Sequence, residues 1–563
     1  MPHVITQSCC SDGSCVFACP VNCIHPTPDE PGFATAEMLY IDPAACVDCG
    51  ACVSACPVGA IATQATLTDT QLPFIELNAA FYPERRPDEK VPPTSKLAPV
   101  PDAPVVHERG GRPLAVAIVG SGPAAMYAAD ELLTQRGVRV TMFERLPTPY
   151  GLVRAGVAPD HQSTKRVTQL FDRVTARREL RLYLNVEVGT HVTHAELLAH
   201  HDAVLYAVGA PHDRRLDIDG MDLPGTATAT EVVAWYNGHP EYTDLPVDLG
   251  HHRAIVIGNG NVALDVARIL TTDPARLAVT DIADHALAAL RASGIDEVMI
   301  AARRGPAQSA FTLPELIGLT TTCDVVLDAG PDIDVHEWVR RDLADETDPL
   351  TRNKLEVLSK LGDASAPITR PRIRLAYRLT PRQITGSGRA DGVEFTVTGS
   401  DDVRRIDAGL VLTSIGYRGK PIAGLPFDEV AATVPNDGGR VVDPETGRPV
   451  AGTYVAGWIK RGPTGFIGTN KSCAAQTVHN LVADYNAGVL TAPGATGLET
   501  LMRDRQPDLV DSAGWRAIDA AEIARGGEHR PRVKFTSLPD MIEAAAAAPT
   551  PSVGRRLLAG LLR

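Results

Sequence analysis

Nine of the eleven cysteines in this chain lie between Cys9 and Cys56, a density that points to metal chemistry. Four of them, Cys46, Cys49, Cys52 and Cys56, stand in the run CVDCGACVSACP, spaced C-x2-C-x2-C-x3-C and followed by Pro57. Such a loop wraps three thiolates around one corner of an iron–sulfur cubane, and the fourth cysteine, beyond the proline turn, points to a second cluster. The upstream stretch CCSDGSCVFACPVNC, residues 9–23, is a near-repeat with Asp12 where a thiolate is expected. Crosswise sharing then assigns Cys46, Cys49, Cys52 and Cys19 to one 4Fe-4S cluster, and leaves Cys9, Cys15 and Cys56 around another that is one thiolate short. A carboxylate is a harder and weaker ligand for ferrous iron than a thiolate. The second site is therefore predicted to hold a 3Fe-4S cluster, or a labile 4Fe-4S cluster with Asp12 or solvent on one iron. The alternative is that Asp12 is a solvated loop residue. Cys10 and Cys23 are spare thiols expected to pack against the clusters. A zinc ribbon needs four ligands per ion in more widely separated pairs, which the x2-x2-x3-Pro run does not offer.

Two glycine-rich turns suggest nucleotide chemistry. AIVGSGPAAMYAADELL places Gly120, Gly122 and Pro123 after an apolar strand and before a helix. Glycines there let the chain turn tightly and let a pyrophosphate approach the helix N-terminus, whose free amides and dipole favour anions. Glu144, just after RVTMF, stands where an acid accepts hydrogen bonds from a ribose diol. The pattern recurs in RAIVIGNGNVALDVARIL with Gly258, Gly260 and Ala263, but the following strand ends in Arg303 and Arg304 instead of an acid. A guanidinium pair suits a 2′-phosphate through charge-assisted bonds, which predicts NADP over NAD. The run YVAGWIKRGPTGFIGTNK has neither helical nor strand period. Its amides could lie over a flavin ring, with Trp458 covering one face.

These groups need supports, and the rest of the chain supplies them. Residues 83–113 carry eight prolines, no hydrophobic period and mixed charge, and read as a semi-rigid linker. Beyond it, strand patterns (LAVAIVG, RVTMFER, DAVLYAVGA, RAIVIGNG, DEVMIAARR) alternate with helical ones, which predicts parallel sheets with crossover helices. Formal net charge is −14, which argues against a nucleic-acid partner. Asp12, Asp29, Glu30, Glu37, Asp42, Asp48 and Asp69 precede Thr70 without a single lysine or arginine, so the cysteine module is uniformly anionic. No basic leader precedes an apolar segment, and no apolar run approaches ~18 residues, so a cytoplasmic protein without membrane insertion is expected. That compartment keeps thiols reduced, which sets disulfides aside. The tail DMIEAAAAAPTPSVGRRLLAGLLR reads as a helix with a basic end and as a surface terminus.

The module of residues 1 to about 65 resembles the bacterial two-cluster ferredoxins of the seven-iron type, on seven cysteines with Pro20 and Pro57. From roughly 114 to 530, the segments PTPYGLVRAGVAPDH, GNGNVALDVARIL, RRGP and GWIKRGPTG resemble the adrenodoxin-reductase type of ferredoxin–NADP reductase. The implied fold is α/β: two Rossmann-like, doubly wound FAD and NADP domains preceded by a small α+β ferredoxin-like domain. The implied division is an iron–sulfur domain at 1–80, a linker at 81–113, FAD domain at 114–213, NADP domain at 214–422, and the second part of the FAD domain with the tail at 423–563. By the same resemblance Ala124, Glu144, Leu152, Trp458, Gly465, Phe466 and Ile467 contact FAD. Arg214, the turn Asn259, Gly260, Asn261 and Val262, the pair Arg303 and Arg304, and Glu315 contact NADP(H). His161 and Asp265 stand near the flavin–nicotinamide pair, where they orient the nicotinamide and local water.

The implied reaction passes a hydride from NADPH to FAD, then single electrons to the clusters and on to an external acceptor, with reversal open. That acceptor is a ferredoxin or a ferredoxin-dependent enzyme such as a cytochrome P450. A tethered ferredoxin has a high effective concentration at the flavin edge, and Lys460, Arg461 and Lys471 offer charge complementary to the anionic module. Two other readings share these modules: an electron-input subunit similar to the small subunit of glutamate synthase, and an iron–sulfur redox sensor with vestigial nucleotide domains.

Overall fold

The computed structural model describes residues 2–83, 97–100, 102–107, 111–365 and 367–548. The N-terminal module is built from two matching halves at an offset of 37 residues. Helix Ser14–Ala18 follows Ser11 at φ 56° and Gly13 at φ 73°; helix Ala51–Ala55 follows Asp48 at φ 56° and Gly50 at φ 74°. The same backbone path thus places Asp12 where the second half has Cys49. Strand His3–Ile5 pairs antiparallel with Ile61–Thr63, and Ile24–His25 with Tyr40–Ile41. Buried Asn78, on helix Pro73–Ala80, ties the two ribbons: its amide donates to Ile5 O at 2.8 Å, and its carbonyl accepts from Ile5 N at 3.2 Å and Ile41 N at 2.9 Å. Satisfying those amides from one buried side chain fixes the ribbons' spacing.

Two seven-stranded sheets follow. The first runs 436–437, 440–442, 449–455, 203–206, 114–119, 138–144, 180–184, with its last five strands parallel. The second runs 226–228, 410–413, 253–257, 297–301, 372–376, 324–328, 362–363 and is parallel throughout. Strands such as Leu114–Val119 and Glu297–Ala301 are near-continuous apolar runs because both faces are covered. An antiparallel sheet of 379–385, 392–397 and 403–407, not foreseen from sequence, flanks the second. Strand His212–Asp213 pairs with Tyr417–Arg418 where the chain crosses between the two sheets.

Much of the predicted linker, at 84–96, 101 and 108–110, lies outside the described residues. Its described parts are anchored: Ala98 is buried in the cysteine module's core, and Asn486 bonds both His107 N at 2.9 Å and Val105 O at 2.8 Å. The helix expected near the C-terminus is present: Leu538–Ala546 packs on helix Ser512–Gly526, with Met541 as its one buried residue. The expected basic end, within residues 549–563, lies outside the described residues. The alanine run hid one inward-facing methionine. Among the described residues no helix is long and apolar enough to cross a membrane.

Candidate functional site

Cys19, Cys46, Cys49 and Cys52, the predicted ligands of one cluster, line a single cavity together with Cys23 and His3. Cys23 Sγ lies 3.4 Å from Cys19 Sγ, and Cys23 N donates to the same sulfur at 3.4 Å. The Cys23 thiol and amide hold Cys19 well below the ordinary thiol range, in favour of the thiolate a metal needs. In the matching half Ala60 N donates to Cys56 Sγ at 3.3 Å. Around the second set, burial pushes the Cys9 thiol up to about 11, with Cys56 and Asp12 adding to it. Cys15 is pushed up by burial, then by Cys9, Asp12 and Cys56. Thiols buried together that raise one another are what a cationic iron centre relieves, so both donor sets fit iron–sulfur groups.

Asp12 is not a solvated loop residue: it is 7% exposed. Its carboxylate accepts from Ser14 N at 3.2 Å and from Ser14 Oγ. Lys471 Nζ stands 3.6 Å from Asp12 Oδ2 and donates to Ser14 Oγ at 2.7 Å. Beside it, Gly468 N donates to Cys10 O at 2.7 Å, and a Cβ on Gly468 would overlap the backbone of Asp12 and Cys10. Cys10, Val58 and Ala60 are buried in the hydrophobic core built around the first large sheet, with Cys9 and Cys56 against it. Of the three basic residues expected to dock the module, only Lys471 does so. Lys460 instead donates to Gln476 at 2.7 Å, Thr477 at 3.1 Å and Cys473 O at 3.3 Å. Arg461 donates to Asn470 at 3.2 Å and Thr464 O at 2.9 Å. Both close their own loop.

At the first glycine turn, Gly120 has φ 98°, and a Cβ there would stand 2.5 Å from Ala207 O, so only glycine lets the chain pass. Gly122 precedes helix Pro123–Leu133, and Glu144 accepts from Ser121 N at 3.1 Å, Ser121 Oγ at 2.7 Å and Leu146 N at 3.1 Å. Ala124 lies against Gly457, and Leu152 begins a short helix with 41% of its surface exposed. The run without period resolves into a strand end, helix Trp458–Arg461, a loop, and helix Thr469–Ala487. Trp458 Nε1 donates to Thr464 O at 3.1 Å, its ring 5.0 Å from that of Tyr417. Thr469 and Asn470 hold the loop Gly465, Phe466, Ile467: Phe466 N donates to Thr469 Oγ1 at 2.9 Å, and Asn470 Nδ2 to the carbonyls of Phe466 at 3.2 Å and Ile467 at 3.0 Å.

At the second turn, Gly258 has φ 112° and crosses under Ser414 O. Gly260 precedes helix Asn261–Thr271, which also carries Val262 and Asp265. Asn261 exchanges bonds with Thr312, at 3.2 and 2.8 Å, and Asn259 Oδ1 accepts from Ala310 N at 3.4 Å. Arg303 and Arg304 are exposed at the end of strand Glu297–Ala301, and neither has a side-chain partner among the described residues. Two free guanidiniums at a strand end fit a phosphate dianion. Arg214 is exposed at the crossing between the sheets, its amide donating to Gly416 O at 2.9 Å.

On the helix that follows the second turn, Asp265 belongs to a charged cluster. His161 Nδ1 is 4.0 Å from Asp265 Oδ1, and donor atoms of His161, Asp265 and Glu315 lie within 4.8 Å of one another. Buried Arg268 organises them: it bonds Asp265 at 2.7 Å and Asp160 at 2.7 and 3.1 Å, and stands 3.9 Å from Glu315. Burial opposes its charge, but Asp265 and Asp160 outweigh this and keep Arg268 a cation. Sequence reasoning missed Arg268 and Asp160. The available signal was the i, i+3 spacing of Asp265 and Arg268 in NVALDVARIL.

Residues 39–62 match the family described as 4Fe-4S binding domain, and residues 114–304 match pyridine nucleotide-disulphide oxidoreductase. A "Probable ferredoxin/ferredoxin--NADP reductase" of Mycobacterium tuberculosis is 70% identical over 567 residues, covering 100% of this chain and 98% of that protein. The chain belongs to the ferredoxin/ferredoxin–NADP reductase family. The Mycobacterium tuberculosis protein named NADPH-ferredoxin reductase FprA is 44% identical over 460 residues, 77% of this chain and 99% of that one. The solved structure titled "Mycobacterium tuberculosis FprA in complex with NADPH" aligns with a TM-score of 0.69 at 42% identity, covering 77% of this chain and 100% of that one. A ferredoxin/ferredoxin–NADP reductase is an NADPH-dependent flavoprotein oxidoreductase, here carrying a FAD/NADP(H)-binding fold and a 4Fe-4S binding domain in one chain. The full-length match favours this over the electron-input-subunit and sensor readings.

Proposed function

We propose that this ferredoxin/ferredoxin–NADP reductase moves electrons within its own chain, from NADPH through FAD to two clusters in residues 1–80, and then to a separate cytoplasmic acceptor such as a cytochrome P450. The observation that carries this is the seat of the cysteine module: Cys10 O accepts from Gly468 N at 2.7 Å, directly beside the loop Gly465–Ile467. FAD, when bound, converts a two-electron hydride into single-electron steps. Ala124, Glu144, Leu152, Trp458 and the loop 465–467 form its cradle. Asn259 to Val262, with Arg214, Arg303, Arg304 and Glu315, receive NADPH, and His161 and Asp265 orient the nicotinamide. The remaining division is a linker at 81–113, FAD segments at 114–213 and 423–563, and the NADP domain at 214–422.

Cys19, Cys46, Cys49 and Cys52 hold a 4Fe-4S cluster in this reading. Cys9, Cys15 and Cys56 hold a 3Fe-4S cluster or a labile 4Fe-4S cluster whose remaining iron faces Asp12 or solvent. Iron and sulfide analysis with low-temperature EPR, before and after dithionite, tests this by counting and typing the clusters. Seven or eight irons per chain with two distinct signals is the expected result; four irons and one signal contradicts it.

A further inference from the structure

Helix Leu313–Thr322 belongs to the NADP-side sheet, yet the cysteine module grips it at several points. Glu37 accepts from Leu313 N at 2.7 Å, and Leu313 and Ile317 are buried in the module's own hydrophobic core. Two residues on, Gln7 Nε2 donates to Glu315 Oε2 at 3.0 Å. Gly318, on the next turn of the same face, leaves the room: a Cβ there would overlap the Gln7 amide. Glu315 is the carboxylate of the charged cluster that Arg268 does not hydrogen-bond: Arg268 Nη1 stands 3.9 Å from it and has no hydrogen-bond partner. Among the described residues Gln7 is therefore the side chain that donates a hydrogen bond to the Glu315 carboxylate, holding it beside His161 and Asp265.

We propose that Gln7 is a positioning residue of the hydride-transfer site, supplied to the reductase by its ferredoxin module. The inference rests on the reading that His161 and Asp265 stand at the nicotinamide. FprA is matched over 99% of its length by 77% of this chain, so reductase architecture is complete without the module; here the module has become part of the site. The groups facing Glu315 are His161, Asp265 and Arg268, with Asp160 behind Arg268. Burial pushes the Glu315 carboxyl up; Asp265 adds to that, while His161, Arg268 and Gln7 oppose it. Losing the Gln7 donor raises it further and turns the carboxylate free.

The test is anaerobic stopped-flow reduction of the bound FAD by NADPH, in the full-length holoprotein, across a pH series. Gln7→Met keeps the side chain's length and fills the space beside Gly318, but cannot donate. We expect it to slow flavin reduction about tenfold and to move the pH profile up by about one unit, the scale of one hydrogen bond to a charged group. Gln7→Glu, which sets a like charge against Glu315, is expected to slow it further. A wild-type rate and pH profile in Gln7→Met overturns the proposal and leaves Gln7 a packing residue. His161→Gln in the same assay separates this from the underlying reading. If His161→Gln is slow while Gln7→Met is normal, only Gln7 is misassigned; if His161→Gln is normal, the cluster is not at the nicotinamide and both fall.

Discussion

Lys471 Nζ donates to Ser14 Oγ at 2.7 Å across 457 residues of sequence, with Asp12 Oδ2 3.6 Å away. This contact joins the start of a helix that follows the proposed flavin loop to the start of a helix in the ferredoxin module. It gives the module a fixed seat, so the tether is not its only link to the reductase. The pair is partly exposed, so salt screens it. Lys471→Gln is expected to slow reduction of the clusters by NADPH while the wild-type rate, alone of the two, falls with ionic strength. Equal rates and equal salt dependence in stopped-flow traces would count against a docking role.

Gly468→Ala attacks the same seat by volume. The added Cβ would overlap Cys10 O and Asp12 backbone, and forcing a methyl into packed backbone costs about 1–3 kcal/mol. The expected result is slower cluster reduction with normal flavin binding, and faster amide hydrogen exchange in residues 9–15. Unchanged exchange would show that the loops do not meet.

Asp12 occupies the position that Cys49 fills in the other half, and Asp12→Cys restores the fourth thiolate. After anaerobic reconstitution with iron and sulfide, the variant is expected to show a stable 4Fe-4S cluster at the Cys9, Cys15 and Cys56 site. An unchanged three-iron EPR signal would contradict this assignment.

Arg303 and Arg304 test the second nucleotide site. Hydrogen bonds to a charged group contribute about 1.5–3 kcal/mol each, so Arg303→Ala or Arg304→Ala should lower kcat/KM for NADPH about ten- to hundredfold in ferricyanide reduction. The NADH value should hardly move. Equal losses for both nucleotides would place the pair away from the 2′-phosphate.

These arginines, the glycine turns and the cysteines were legible in sequence because their chemistry lies within a few residues of one another. Gln7 and Glu315 are 308 residues apart, and nothing local marks Gln7. Lys460 and Arg461 look as suitable for docking as Lys471, and only the fold shows that they close their own loop. Asp12 reads in sequence either as a neighbour of a labile iron or as a solvated loop residue, and only the fold shows Lys471 and Ser14 around it. Long-range docking selects residues by position in space, which periodicity and spacing do not report.

Lys534 provides a pH test of the junction between the two large sheets. It is buried, 3.0 Å from Asp281, and donates to Asn237 and to Arg154 O; Lys165 shares Asp281 at 2.8 Å. Burial, opposed by Asp281 and reinforced by Lys165 and Arg154, brings Lys534 down to about 7. The unfolded chain then holds a proton that the folded chain lacks above that pH, so this group makes stability rise from pH 7 toward the ordinary lysine range. Its penalty is full below pH 7. The slope from one proton is about 1.4 kcal/mol per pH unit. Lys534→Met should flatten urea-derived stability between pH 7 and pH 9, and an unchanged slope would show that the ammonium stays charged in the fold.

The central claim is that electrons pass from flavin to clusters inside one chain. Mixing the holoprotein anaerobically with excess NADPH and following cluster absorbance at several protein concentrations tests it directly. A seated module predicts a first-order cluster-reduction rate that does not change with protein concentration. A rate that rises in proportion to concentration, or flavin reduction with no cluster reduction, would contradict it.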